Sequence, residues 1–147
     1  MIRRLEERDL QRVSALIQNT ILVSNSADYD LEIIGNLITA FSPTQLRALA
    51  GRRRVYVYEQ NGALYGTIGL EGSRVYNFFV SPDRQGGGVG AELLDFVEHR
   101  ARIEGKSYLS VDSSLTAESF YSGRGYRRTG EQIDRSFGRT ISMEKKL

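Results

Sequence analysis

The sequence predicts an α/β domain with a mixed, largely antiparallel central sheet of about six or seven strands and flanking helices. Three observations carry that prediction. Apolar residues recur at helical spacing through the first third of the chain. Three strand-like runs joined by turn dipeptides follow, from Arg53 to Val80. A helical stripe then lies between the last of these runs and another strand-like run, the pattern of a parallel crossover.

Taken in order, "MIRRLE" reads as a short first strand. Asp9 stands where an N-cap belongs, before a helix with Leu10, Val13, Leu16, Ile17 and Ile21 on one stripe. "SNSAD" ends that helix, and a second carries Leu31, Ile34, Leu37, Ile38 and Phe41 at the same period. Ser42-Pro43-Thr44-Gln45 combines a capping serine, proline at the first helical position and glutamine at the third, so a short third helix runs to Ala50 and stops at Gly51. "RVYVYEQ", "ALYGTIGL" and "RVYNFFV" then form an antiparallel meander. Asn61-Gly62 makes its first turn and Glu71-Gly72-Ser73 its second. Pro82 ends the third strand, and Gly86, Gly87, Gly88 and Gly90 form a loop before a helix with Val89, Leu93, Leu94, Val97 and Ala101 on one face. The strand Tyr108–Val111 follows, parallel to the third meander strand through a right-handed connection. "TAESFYS" is a short helix, and "YRRTGEQI" with "RTISMEK" a closing hairpin.

At 147 residues the chain is read as one domain, 1–147, able to bury roughly two thirds of its unfolded surface. Cysteine is absent, which excludes disulfides, thiolate metal sites and a cysteine nucleophile. The single histidine, His99, cannot build a multi-histidine zinc site and is read as a half-exposed helix residue, so no metal is expected. "MIRRLEERDL" has no apolar leader core, and no run approaches the roughly 18 apolar residues of a membrane span, so a cytoplasmic protein without membrane partners is expected. Net charge is +2, and only three of the 20 basic residues are lysine. The one dense basic run, Arg52-Arg53-Arg54, reads as the solvated start of a strand, so nucleic acid is not an expected partner.

The glycine loop is the most informative stretch. Glycines at a strand-to-helix junction allow close backbone approach, and the N–H groups of a helix start attract an anion, usually phosphate. A nucleoside triphosphate loop needs lysine then serine or threonine after the last glycine, and Ala91-Glu92 stand there instead. Gly86, Gly88 and Ala91 fit a dinucleotide fingerprint, with Asp112 about twenty residues on. Against it, Ser81 to Gln85 separate the strand from the glycines, and too little chain follows for the second half of a doubly wound sheet.

The third candidate is coenzyme A. Gln85-Gly86-Gly87-Gly88-Val89-Gly90 resembles the Q/R-x-x-G-x-G/A motif of the GNAT N-acetyltransferase superfamily, and "YNFFVSPDRQ" is similar to the strand that precedes it there. "SSLTAESFYSGRGYRRTGE" resembles the family's second motif, with Ala117, Tyr121 and Gly125-Tyr126 in its places and Ser114 where asparagine is frequent. The resemblance spans nearly the whole chain. It implies the acyl-CoA N-acyltransferase (GNAT) fold and transfer of an acetyl group from acetyl-CoA, used as co-substrate, to an amine by direct attack.

The resemblance further implies that Phe79, Val80, Gln85, Gly86, Gly87, Gly88, Val89, Gly90, Ala91 and Ser114 bind the cofactor, and that Tyr121 is the catalytic acid. A phenol with an ordinary pKa of about 10 is protonated at neutral pH and suits protonation of a departing thiolate. Glu71, Asp112 or a water chain remain open as the base. Arg84, Arg124 and Arg127 are candidates for the coenzyme's phosphates, and Tyr29, in the segment between the first two helices, for the acceptor pocket. The acceptor amine is not specified, and the closing hairpin offers an edge for a homodimer. A catalytically silent acyl-CoA sensor of the same fold is the alternative; Tyr121 favours the enzyme.

Overall fold

A computed structural model of residues 1–147 shows a single seven-stranded sheet. Its strands are β1 (Ile2–Arg4), β2 (Arg54–Gln60), β3 (Ala63–Glu71), β4 (Arg74–Val80), β5 (Tyr108–Ser114), β6 (Arg127–Asp134) and β7 (Gly138–Lys146). Their order across the sheet is β1-β2-β3-β4-β5-β7-β6. Every pairing is antiparallel except β4 with β5, the crossover pair. The closing hairpin forms, but its second strand lies inside: β7 pairs with β5 and leaves β6 as an edge exposed at every residue.

Helices α1 (Leu10–Thr20), α2 (Leu31–Ala40) and α3 (Pro43–Ala50) cover one face. Their apolar stripes meet in a cluster of Leu10, Val13, Ile17, Ile21, Ile34, Leu46 and Val57. On the other face α4 (Val89–Ile103) and α5 (Glu118–Gly123) pack on a larger cluster, where Leu93, Leu94, Val97 and Ala101 are fully buried. The predicted stripe of α4 is the one that is buried. A Cβ on Gly66 would stand 2.8 Å from Leu93 Cδ1 and 3.1 Å from Val89 Cγ1, so glycine there lets α4 lie directly on β3.

Two helix starts follow their cap chemistry. Ser42 Oγ accepts from Gln45 N–H at 3.3 Å, and Asp30 Oδ1 accepts from Ile33 N–H at 2.9 Å. Asp9 does not cap α1. Its carboxylate, fully buried, accepts two bonds from Arg3 (2.7 and 3.0 Å), one from Arg12 (3.2 Å) and the Glu6 N–H (2.8 Å). The Arg3 guanidinium holds its pKa down at about 2. Three further expectations are corrected. Leu31 is 88% exposed, because the first turn of α2 projects beyond the cluster. Val55, Tyr56 and Val57 are buried consecutively, since helices cover both faces of β2 and remove the alternation. Of the Arg52-Arg53-Arg54 run only Arg52 is solvated as expected: Arg54 pairs with Glu104, and Arg53 is drawn inward.

Candidate active site

The site grows from one irregularity in the sheet. β4 and β5 are in register only at Arg74↔Ser110 and Val75↔Val111, after which they separate. Beyond Val75, β4 remains paired with β3 alone, and a bulge sets Asn77 and Phe78 opposite Ile68. Asn77 takes φ +50° there, a left-handed conformation that asparagine tolerates better than most residues. The gap opens into a cavity of about 700 Å³ lined from both faces of the sheet. Phe78, Val80, Phe120 and Tyr121 belong to the α4 side, and Phe79, Tyr29, Leu37 and Phe41 to the α1–α2 side.

At one end the lining is main chain. Gly86 and Gly88 have φ +81° and +95°, which turns the loop so that its amides precede α4. The N–H groups of Gly86, Gly88, Val89, Gly90 and Ala91 have no partner in the protein, whereas Gly87 N–H closes a turn on Arg84 O at 3.2 Å. These free donors at the start of a fifteen-residue helix suit a phosphate anion. Gln85 Nε2 donates to Ser24 Oγ and Val80 O, both at 3.0 Å, tying the loop to a π-helical turn, Ile21–Asn25, that continues α1. That turn places Ile21, Ser24 and Asn25 in the lining.

Val80 faces the gap with its backbone. Ser81 N–H donates to Tyr65 O at 2.8 Å, so by the alternation of an antiparallel ladder the N–H of Val80 points away from β3. Its carbonyl accepts from Gln85 on that side. The same alternation turns the Phe79 backbone onto β3, opposite Thr67, and leaves the Phe79 side chain edge-on to Phe41, with centroids 5.3 Å apart. Across the gap, Tyr121 is 4% exposed among Phe78, Phe120 and Tyr126, at centroid distances of 6.0, 5.7 and 5.5 Å. Its hydroxyl has no hydrogen-bond partner in the protein, and burial pushes the phenol well above its ordinary pKa. The result is a donor that stays protonated through the neutral and alkaline range.

Residues 25–147 match the acetyltransferase (GNAT) domain family. The chain belongs to that family. Solved structures with the same fold include a GCN5-related N-acetyltransferase from Rhodopseudomonas palustris, 24% identical, with TM-score 0.94 over 100% of this chain and 95% of that one. The PaiA N-acetyltransferase from Thermoplasma acidophilum, solved with coenzyme A, is 20% identical, with TM-score 0.83 over 100% and 98%. The ribosomal-protein-S18-alanine N-acetyltransferase from Escherichia coli is 18% identical, with TM-score 0.73 over 99% and 92%.

In this GNAT domain Phe79, Val80, Gln85, Gly86, Gly88, Gly90, Ala91, Ser114 and Tyr121 line one cavity. Gly87 and Val89 do not: the first spends its N–H on the turn, and the second buries its side chain against Gly66. Ser114 Oγ accepts from Ala117 N–H at 3.2 Å, holding the loop before α5. Of the acids left open as a base, Glu71 lies outside the lining and pairs with Arg53. Asp112 is the only carboxylate inside, its two oxygens taken by Arg74 (2.6 Å) and Ser142 (3.2 Å). Arg84 stacks on Tyr65 at 4.0 Å and Arg124 pairs with Asp95 at 2.5 Å; neither reaches the lining, nor does Arg127. Tyr29 does, and its hydroxyl donates to Arg139 O (2.8 Å) while accepting from Leu115 N–H (3.0 Å).

Sequence reasoning missed Arg53 and Asn77, both in the lining. Arg53 Nη1 donates to Asn77 Oδ1 at 2.5 Å, which leaves Asn77 Nδ2 buried without an acceptor. An orphaned buried donor costs about 1–3 kcal/mol. The only linear signal was an asparagine in the middle of an apolar strand, "RVYNFFV".

Proposed function

We propose that this chain transfers an acetyl group from acetyl-CoA to a primary amine by direct attack in a ternary complex. The observation that carries the reading is the β4–β5 gap. It joins the unpartnered N–H groups of Gly86, Gly88, Gly90 and Ala91 to the unpartnered hydroxyl of the buried Tyr121 within one cavity lined from both faces of the sheet. The residues fit the co-substrate. Gly86, Gly88, Val89, Gly90 and Ala91 offer N–H groups to its pyrophosphate, with Gln85 and Gly87 shaping the loop. Val80 turns its free backbone N–H into the slot, Phe79 walls the slot with its ring, and Ser114 lines the same cavity.

In the reaction the amine nitrogen forms a bond to the thioester carbonyl carbon, and the carbon–sulfur bond breaks. The Val80 N–H, directed into the gap, is placed to meet negative charge developing on the carbonyl oxygen. Tyr121 gives its proton to the departing sulfur and recovers one from the nitrogen, which carries an extra proton after the attack, or from solvent. An amine of pKa about 10.4 costs roughly 4–5 kcal/mol to deprotonate at pH 7. Both oxygens of Asp112 already accept hydrogen bonds, so the amine's first proton is assigned to water.

Thermal denaturation with acetyl-CoA, coenzyme A and NAD tests the cofactor assignment, because a ligand that binds only the folded state stabilises it by mass action. Stabilisation by the first two and not by NAD is expected. Release of free thiol with a panel of amines tests the activity. Binding of acetyl-CoA without amine-dependent thiol release would instead support the silent sensor.

A further inference from the structure

The end of the cavity remote from the glycine loop is built differently, and nothing in the transfer chemistry above uses it. Arg53 precedes β2, and its side chain is only 14% exposed. It is pinned on three sides: Nε to Glu71 Oε1 at 3.2 Å, Nη1 to Asn77 Oδ1 at 2.5 Å, and the guanidinium carbon 3.8 Å from the centroid of the Tyr76 ring. Nη2 has no protein partner and is not sealed from solvent. Beside it, Asn77 cannot rotate its amide to satisfy the orphaned Nδ2 without losing the bond to Arg53. Both residues line the cavity, as does Arg74, whose Nη1 bonds Asp112. A planar cation held rigid and partly desolvated, with its outer nitrogen open to the cavity side and unpartnered, is shaped for an oxygen anion. Two features argue against a purely structural role: Glu71 meets Arg53 only through Nε, and the fork's outer nitrogen is left for another partner.

We propose that the acceptor is an amine that also carries a carboxylate, and that Arg53, oriented by Asn77, binds that carboxylate. The assignment rests on the acetyltransferase reading, since it names the second substrate of the same site. Asp112 is the one carboxylate in the lining to meet the ammonium, and Leu37, Phe41 and Phe137 give the same lining apolar surface for the carbon skeleton. Arg53 is thus a binding residue and Asn77 its positioning residue.

The test uses the whole chain saturated with coenzyme A and measures binding by calorimetry, independently of turnover. The probes are an amino acid, its primary amide, its methyl ester and a diamine of equal length. The carboxylate probe is expected to bind about 10- to 100-fold more tightly than the amide or ester, the range of a charge-assisted hydrogen bond. Arg53→Gln should bring that ratio to within threefold of one, and Arg53→Lys, which keeps the charge without the planar fork, should restore part of it. Coenzyme A affinity, measured on the same variants, should stay the same and show that the site is folded. Equal or tighter binding of the amide, ester or diamine overturns the proposal, as does a ratio insensitive to Arg53→Gln. Selective binding without thiol release would overturn the enzymatic reading and leave the carboxylate site standing, so the two can fail separately.

Discussion

At the glycine-loop end of the cavity the protein presents main chain, and at the Arg53 end it presents side chains. Five amides between Gly86 and Ala91 come from six consecutive residues and need only the loop's own dihedrals and the start of α4 to point together. Arg53, Asn77, Tyr29, Phe41 and Phe137 come from five separated segments and meet only because the sheet and two helices bring them there. The difference separates two kinds of recognition. A cluster of main-chain donors can be encoded in a short stretch. A cluster of side chains is distributed along the chain, and changes by single substitutions.

The sharpest way to break this comparison is at Tyr121, which serves both ends. Tyr121→Phe should lower kcat by about 100- to 10,000-fold with acetyl-CoA affinity unchanged, read by steady-state kinetics and calorimetry. An unchanged turnover number would remove its role as acid. Because burial raises the phenol's pKa, the wild-type rate should show no falling limb from Tyr121 below about pH 10.

Gly88→Val tests the main-chain end. A β-branched residue at φ +95° is strained by about 1–2 kcal/mol or more, so acetyl-CoA affinity should drop by about tenfold, while binding of the acceptor to protein that is already loaded changes little. An equal loss at both ends would mean that the ends are not separable.

Asp9 supplies the control for stability, since it lies outside the cavity lining. Its folded pKa of about 2 is depressed below the ordinary value of 3.8 by Arg3. The carboxylate therefore contributes its stability above about pH 4 and loses it as the pH falls through 2. The contribution is about 2 kcal/mol by linkage. Asp9→Asn should remove a similar amount at pH 7 and flatten the acid limb of the denaturation profile, with KM for both substrates unaltered.

The smallest effect is expected at Tyr29. Tyr29→Phe removes the hydroxyl that bridges Arg139 O and Leu115 N–H, worth about 1 kcal/mol per bond. KM for the acceptor should rise several-fold and KM for acetyl-CoA should not.

Much of this was legible in the linear sequence. Asn61-Gly62, Ser42-Pro43 and the α4 stripe each report a local conformational preference, and each element formed where its signal stood. The glycine loop before α4 was legible for the same reason. Asp9 was misread because a helix-start aspartate looks alike whether its partner is its own helix or Arg3 of a neighbouring strand. Leu31 was misread because the period shows which residues share a stripe but not how far the covering surface extends. Arg53 looked like surface charge because its three restraints, Glu71, Tyr76 and Asn77, lie 18 to 24 positions away.

By itself, then, the sequence determined the order of elements, the parallel crossover and the glycine loop before α4, all of which arise from interactions between near neighbours along the chain. Tertiary structure alone decided that β7 enters between β5 and β6, that β4 parts from β5 after Val75, and that Arg53 turns inward beside Asn77. Those outcomes depend on which distant groups compete for the same buried space and the same hydrogen bonds, and no local pattern of residues records that competition.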